Sequence, residues 1–235
     1  MNEEIIHIDG LPTTAVASAK HGGTLVVLLH GYSMTPADLA PFAHSLGNAG
    51  VFLFPEGPFP ALSGGRAWFP MDDAARQAAQ RTGPRDLAER HPAGLAAARE
   101  RLGSYLRACA ARFRPEKTVL GGFSQGGMLA CDAVLHGTAV VDALLLMSAS
   151  RLNIGEWQAH AARLGTLPML ISHGKTDPDL AFSAGAALKD FVAAAGAEVT
   201  WLPFDGGHEI PLVVWRAVRK FLRRPCLAPS NARAK

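Results

Sequence analysis

Thr118-Val119-Leu120-Gly121-Gly122-Phe123-Ser124-Gln125-Gly126-Gly127-Met128 decides the reading of this chain. Thr118 to Leu120 is β-branched and apolar, as a buried strand requires. Met128 to Val134 is apolar, free of glycine and proline, and suited to a helix. Between them lies Gly122-Phe123-Ser124-Gln125-Gly126, a G-x-S-x-G pentapeptide at a strand-to-helix junction. A serine hydroxyl attacks well only when it is exposed, oriented and beside a base. A sharp turn would lift Ser124 off the sheet into a strained backbone conformation. Neighbouring chain must then pass close, which favours residues without a Cβ at 122 and 126. The following helix would point unpaired N–H groups and a favourable dipole at the same spot, making the Gln125 N–H a natural oxyanion donor. Two other readings compete. A phosphate-cradling Walker loop needs Lys and then Ser or Thr after its last glycine, and Gly127-Met128 stands there instead. A structural turn with an incidental serine is the other.

Working outward, the strands alternate with helices. Thr24 to His30, Val51 to Phe54, Asp142 to Ser148, Leu167 to His173 and Glu198 to Leu202 read as further strands. The continuous apolar runs among them mark strands covered on both faces. Ile5 to Ile8 and Thr13 to Ala17 read as weak edge strands. Thr35-Pro36-Ala37-Asp38 opens a helix, with an N-cap, a proline at the first position and an acid three residues on. Pro92 to Phe113, Asp179 to Ala195 and Glu209 to Arg223 read as helices. The pattern predicts a mostly parallel central sheet with helices on both faces. One domain over residues 1–224 is expected, followed by a frayed tail over 225–235. Residues 151–165, with Trp157, read equally as a helical cap or as a crossover.

Pro55 to about Pro84 is the longest irregular stretch, and it leaves a strand where open α/β sheets bind ligands. Its Trp68, Phe69 and Met71 are therefore candidate substrate-binding residues. Arg66 could meet an anionic head group, although a solvated arginine is the simpler reading.

A nucleophilic serine needs a base and an orienting acid, each at the end of a strand. Gly174-Lys175-Thr176-Asp177-Pro178-Asp179 follows one strand, and Asp205-Gly206-Gly207-His208-Glu209 follows the last. The order Ser124, Asp177, His208 is that of α/β hydrolases. Of nine histidines, only His208 sits in a glycine-rich loop after the last strand. His30 and His173 each end a buried strand and read best as buried structural imidazoles. The other six, His7, His21, His44, His91, His136 and His160, suit the surface. Asp177 is preferred to Asp179 as the acid, because Asp179 would serve as a helix N-cap.

With 235 residues, 49% hydrophobic, 18% charged and a formal charge of +3, the chain is globular. The arginines between Arg66 and Arg114 are interspersed with acids and alanines, so no nucleic-acid footprint is expected. Cys109, Cys131 and Cys226 form no C-x-x-C pair and suit reduced thiols in a cytoplasmic protein. Met1-Asn2-Glu3-Glu4 lacks the apolar segment of a secretory signal, and no run reaches membrane-spanning length, so no stable membrane anchor is expected. The histidines follow no metal-ligand spacing, and no metal or cofactor is expected.

The strings LLHGYSMTPADL, WFPM, GGFSQGGMLA, HGKTDP and GGHEIP resemble the phospholipase/carboxylesterase family of α/β hydrolases, which includes acyl-protein thioesterases. The likeness runs from about Thr24 to Phe221. It implies Ser124 as nucleophile, His208 as base, Asp177 as orienting acid and an oxyanion hole from the N–H groups of Tyr32 and Gln125. Relatives often carry Gly at the position of Ser33, Asp at that of Pro70 and Val-Pro in place of Leu180-Ala181. These departures bear on loop shape and substrate preference. The expected activity is hydrolysis of a small carboxylic ester, with a thioester or lysophospholipid as alternatives and a non-catalytic binder on the same fold as the rival class. A histidine base must be neutral, so activity should rise between roughly pH 6 and 8. A monomer or a weak homodimer through the aromatic loop is expected.

Overall fold

The computed structural model describes residues 2–17, 23–46, 50–62, 64–224 and 226–227. Eight strands form one sheet: β1 (Asn2–Ile8), β2 (Leu11–Ala17), β3 (Thr24–Leu29), β4 (Gly50–Pro55), β7 (Lys117–Phe123), β8 (Ala143–Met147), β9 (Pro168–Gly174) and β10 (Glu198–Phe204). Their spatial order is β1-β2-β4-β3-β7-β8-β9-β10. From β4 to β10 every pair is parallel, and β1 and β2 add an antiparallel end. β5 (Phe59–Pro60) and β6 (Arg66–Ala67) make a separate two-stranded ribbon.

Side chains alternate across the sheet because successive Cβ atoms point to opposite faces. Leu25, Val27, Leu120, Leu144, Leu146 and Ile171 enter one core, and Val26, Leu28, Phe52, Val119, Leu145 and Leu170 the other. Helices α3 (Leu95–Phe113), α4 (Gln125–Leu135), α5 (Ile154–His160) and α6 (Phe182–Ala194) cover the first face, while α1 (Ala40–Leu46) and α7 (Leu212–Leu222) cover the second. Every residue of α4 is buried, since it lies between the sheet and α3 with α5. Such burial of a leucine is worth about 2 kcal/mol. α4 is therefore a rigid base for whatever stands at its N-terminus. No helix among the described residues is long and apolar enough to cross a membrane.

Several expectations need correction. β2 is not an edge strand, since it pairs with β1 on one side and β4 on the other. Its neighbour is reached through Asp9-Gly10, both left-handed, a two-residue turn chemistry that closes a hairpin. The stretch from Pro55 to Pro84 is not irregular throughout, because α2 (Asp73–Thr82) lies within it. The capped turn at Thr35 is present, with Thr35 N–H donating to Asp38 Oδ2 at 2.7 Å, but it opens a 3-10 turn over Pro36–Asp38 that leads into α1. Residues 151–165 form a crossover: Trp157 is fully buried and donates from Nε1 to Asp132 Oδ1 of α4 at 2.9 Å. At the C-terminus, Leu227 is buried and its carbonyl accepts the Thr24 hydroxyl at 2.8 Å, so this residue, three past the expected boundary at 224, is packed against β3. Residues 225 and 228–235 of the expected tail lie outside the described residues.

Candidate active site

Ser124 sits between β7 and α4 with φ 51° and ψ −116°, an unfavourable conformation for a residue with a Cβ. The strain is held by packing on both sides of the turn. A Cβ on Gly122 would stand 2.4 Å from the carbonyl carbon of Gly126, and one on Gly126 would stand 2.4 Å from the carbonyl oxygen of Leu29. Neither position admits a larger residue without moving backbone. The Ser124 N–H is fixed to the Met147 carbonyl at 2.8 Å. The serine is only 8% exposed, and what is exposed faces a cavity of about 220 Å³.

His208 lines the same cavity. Its loop is tied to the one after β9: the Thr176 N–H and hydroxyl both donate to the Gly206 carbonyl, at 3.0 and 2.9 Å. The His208 ring lies 4.7 Å, centroid to centroid, from that of Phe123, the residue before the serine. Its Nδ1–H donates to Asp177 Oδ2 at 2.7 Å, which leaves Nε2 as the lone-pair nitrogen. Asp177 Oδ1 accepts the N–H groups of Asp179 and Leu180 at 2.8 and 2.9 Å. Burial alone would raise the Asp177 pKa, but the hydrogen bond and charge of His208, with those two N–H groups, outweigh it and hold the carboxyl below its ordinary range. The group is an anion wherever His208 needs one.

Asp179 is not the helix cap that the sequence suggested, since Ala181 occupies the N-cap of α6. It forms ion pairs with Arg85 and, at 3.4 Å, with Arg76. Asp177 is the carboxylate that meets His208. His173 is fully buried, its Nε2–H donates to the Leu180 carbonyl at 3.0 Å, and burial lowers its pKa. The same nitrogen lies 3.4 Å from Asp177 Oδ2, so this imidazole underlies the carboxylate rather than entering the cavity. His30 is also buried, its pKa lowered to about 4 by desolvation. It accepts the Gly57 N–H on Nε2 at 2.9 Å and donates from Nδ1 to the Gly31 carbonyl at 2.8 Å. Both are structural, as expected. Of the histidines assigned to the surface, His136 is instead half-buried against Asp132, and His21 lies outside the described residues.

Tyr32 and Gln125 both border the cavity. Gln125 is the first residue of α4, so its N–H has no partner within the helix. The Tyr32 side chain is turned aside, its hydroxyl donating to Asp73 Oδ2 at 2.7 Å. Ser33 beside it has φ 62°, which explains why glycine also suits that position.

The aromatic loop behaves differently from its sequence reading. Met71 lines the cavity, but Trp68 and Phe69 are each 2% exposed and point into the core. They brace the site from behind. The Trp68 N–H donates to Gln125 Oε1 at 2.9 Å, Gln125 Nε2 donates to the Phe69 carbonyl at 2.8 Å, and Trp68 Nε1 donates to the His30 carbonyl at 2.9 Å. Arg66 is occupied with the carbonyls of Gly57 and Pro58, both at 2.8 Å, and with Glu56. The residues missed were Arg76, Arg85 and Leu87 on the opposite wall. No spacing in the sequence marks them, because they reach the cavity only through the path of α2 and the segment after it.

A family model described as phospholipase/carboxylesterase matches residues 12–225. The chain is 32% identical over 124 residues to acyl-protein thioesterase 1 of Gibberella zeae; the match covers 50% of this chain and spans about half (51%) of that relative. Among solved structures it is similar to esterase PE8, with a TM-score of 0.76 and 24% identity over 91% of this chain and 98% of that one. A carboxylesterase from Mesorhizobium loti superposes with a TM-score of 0.74 and 18% identity, covering 96% of this chain and 100% of that one. Those likenesses bear on the fold, which is that of the α/β hydrolases. With nearly its whole length matched, the chain belongs to the phospholipase/carboxylesterase family.

Proposed function

We propose that this protein is a serine carboxylic-ester hydrolase acting through an acyl-enzyme. The observation that carries the reading is a strained serine sharing one small cavity with a histidine whose far nitrogen is held by a buried carboxylate. Ser124 Oγ attacks the ester carbonyl while its proton passes to His208 Nε2. The new C–O bond leaves a tetrahedral oxyanion, which accepts hydrogen bonds from the N–H groups of Tyr32 and Gln125. Each such donor is typically worth about 3 kcal/mol at the transition state. Collapse breaks the bond to the leaving alcohol, which takes the proton from Nε2. Water then gives its proton to Nε2 and attacks the acyl-enzyme, and Ser124 regains its proton as the acid departs. Asp177 stays ionised, fixes the tautomer and steadies the imidazolium.

The cavity favours short acyl groups over long ones. At about 220 Å³ it is smaller than sites that swallow drug-sized ligands, typically 300–1,000 Å³. A long-chain thioester or lysophospholipid would have to leave most of its chain outside. Wild-type protein should turn over 4-nitrophenyl acetate with a pre-steady-state burst. Ser124→Ala should lose about 10⁶-fold in kcat with an unchanged circular dichroism spectrum. Wild-type rates in that variant would remove Ser124 from the mechanism, and a wild-type protein inert to all esters would favour the non-catalytic binder. Turnover that rises with acyl length to sixteen carbons would favour the long-chain alternatives.

A further inference from the structure

The lining of the cavity that holds the serine includes two arginines and one carboxylate that pair with one another. Arg76 on α2 and Arg85 after it both reach Asp179. The Arg76 guanidinium lies 5.4 Å from the Tyr32 ring centroid, above its face. Arg85 is also fixed through its backbone, donating to the Asp179 carbonyl and accepting the Ala181 N–H, both at 2.9 Å. These side chains line the cavity that holds Ser124 and His208.

Two guanidinium groups share one carboxylate, Asp179. The other nearby carboxylates engage other donors: Asp177 meets His208 and two backbone N–H groups, Asp73 the Tyr32 hydroxyl and Asp72 the Ala75 N–H. The same lining also carries apolar side chains, Met71, Leu87, Phe123 and Met128 among them. A cation beside such a surface is poorly screened, so an anion entering the cavity gains more than it would on an open face. A planar guanidinium also offers paired donors that match carboxylate or phosphate oxygens. Arg76 meets Asp179 through Nε alone, at 3.4 Å, and rests on the Tyr32 ring, which leaves its two terminal nitrogens open to an anion in the cavity.

We propose that Arg76 and Arg85 recognise a negatively charged group on the substrate, so that the preferred substrates are short esters bearing a carboxylate or phosphate. Asp179 holds the two guanidinium groups side by side when the cavity is empty. The proposal rests on the serine-esterase reading and adds to it the substrate class. The cavity volume bounds the substrate to a few carbons on either side of the ester.

The test compares kcat/KM within matched pairs, corrected for uncatalysed hydrolysis. For an acyl-side anion the pair is 4-nitrophenyl hydrogen glutarate against 4-nitrophenyl pentanoate. For an alcohol-side anion it is 4-acetoxybenzoate against its methyl ester, and 4-acetoxyphenyl phosphate separates phosphate from carboxylate. At low salt the wild type should favour the anionic member of at least one pair by about tenfold or more, a difference of about 1.4 kcal/mol. The preference should shrink in 0.5 M NaCl. Arg85→Gln and Arg76→Gln should each cut the ratio several-fold, while Asp179→Asn should hold or raise it. Should Arg85→Gln fail to fold, Arg76→Gln and the salt dependence decide. A wild type that hydrolyses the neutral esters as well as the anionic ones in every pair overturns the proposal and leaves the esterase reading standing. So does a ratio unchanged in Arg76→Gln, the result a purely structural pin would give. Failure to hydrolyse any member, with no labelling of Ser124, would sink the esterase reading itself.

Discussion

The cavity has two walls that were built by different rules. The rear wall comes from the ends of β7, β9 and β10, where Ser124, Asp177 and His208 stand one to four residues past a strand. The front wall comes from the long excursion between β4 and α3, which supplies Met71, Arg76, Arg85 and Leu87. At the rear, sterics leave few choices: a left-handed serine, and glycines where backbones cross. At the front, a chain segment is merely laid across the opening and tied down by side chains. The comparison teaches that the arrangement around Ser124 is encoded in tightly constrained turns, whereas the front of the cavity is shaped by how a loop happens to be pinned.

The sharpest way to break this division is at the carboxylates, two residues apart in one loop, of which Asp177 meets His208 and Asp179 holds the arginines of the front wall. Asp177→Asn should lower kcat for a neutral short ester by about 10⁴-fold, through loss of the imidazole tautomer and its stabilisation. Asp179→Asn should cost the same ester far less. Reversed losses in steady-state assays would reverse the assignment of the acid. Next in size is Gly126→Ala. Its Cβ would press on the carbonyl oxygens of Leu29 and His30 at 2.4 and 2.6 Å, so a loss of about 3 kcal/mol of stability is expected in urea unfolding. A stable variant would mean that the turn yields more easily than its packing suggests.

The link between the walls is Gln125, whose backbone serves the rear and whose side chain holds the front. Gln125→Ala would leave the buried Trp68 N–H and Phe69 carbonyl unpaired, costing about 1–3 kcal/mol for each group. KM for short esters should rise more than kcat falls. An equal fall in kcat/KM through kcat alone would place the side chain in the chemistry instead.

A gentler probe is pH. His30 ties the Gly57 N–H to the end of β3, and burial keeps its pKa near 4, below the ordinary 6.5. The unfolded chain therefore takes up this proton first, and stability should decline as pH falls from about 6.5 towards 4, by up to about 3 kcal/mol. His30→Gln should flatten that part of the stability profile. An unaltered slope would mean that His30 protonates without strain.

The two walls were also unequally legible. The apolar runs of β3, β4, β7, β8 and β9 and the loops that follow β7, β9 and β10 stand out because a doubly covered strand and a crowded turn each restrict residue choice. β2 was misjudged because Thr13 and Thr14 dilute its apolar signal, although Thr13 is fully buried and its hydroxyl meets that of Tyr105 at 3.2 Å. α2 was missed for a related reason. Its sequence, DAARQAAQRT, has alanines and no large apolar residue, so its apolar side carries only a weak signal. Trp68 and Phe69 illustrate the deeper limit. An aromatic residue in a loop can face a cavity or the core, and only their hydrogen bonds with Gln125 and His30 decide for the core here. Asp179 likewise fits a cap by position, and its true partners lie 103 and 94 residues away.

The central claim is that one serine in this chain is made reactive by its surroundings. Treating the protein with a fluorophosphonate probe and mapping the adduct by peptide mass spectrometry tests it directly. A single stoichiometric adduct on Ser124, abolished in His208→Ala, is the expected result. No adduct, or one on another residue that persists in His208→Ala, would contradict the account.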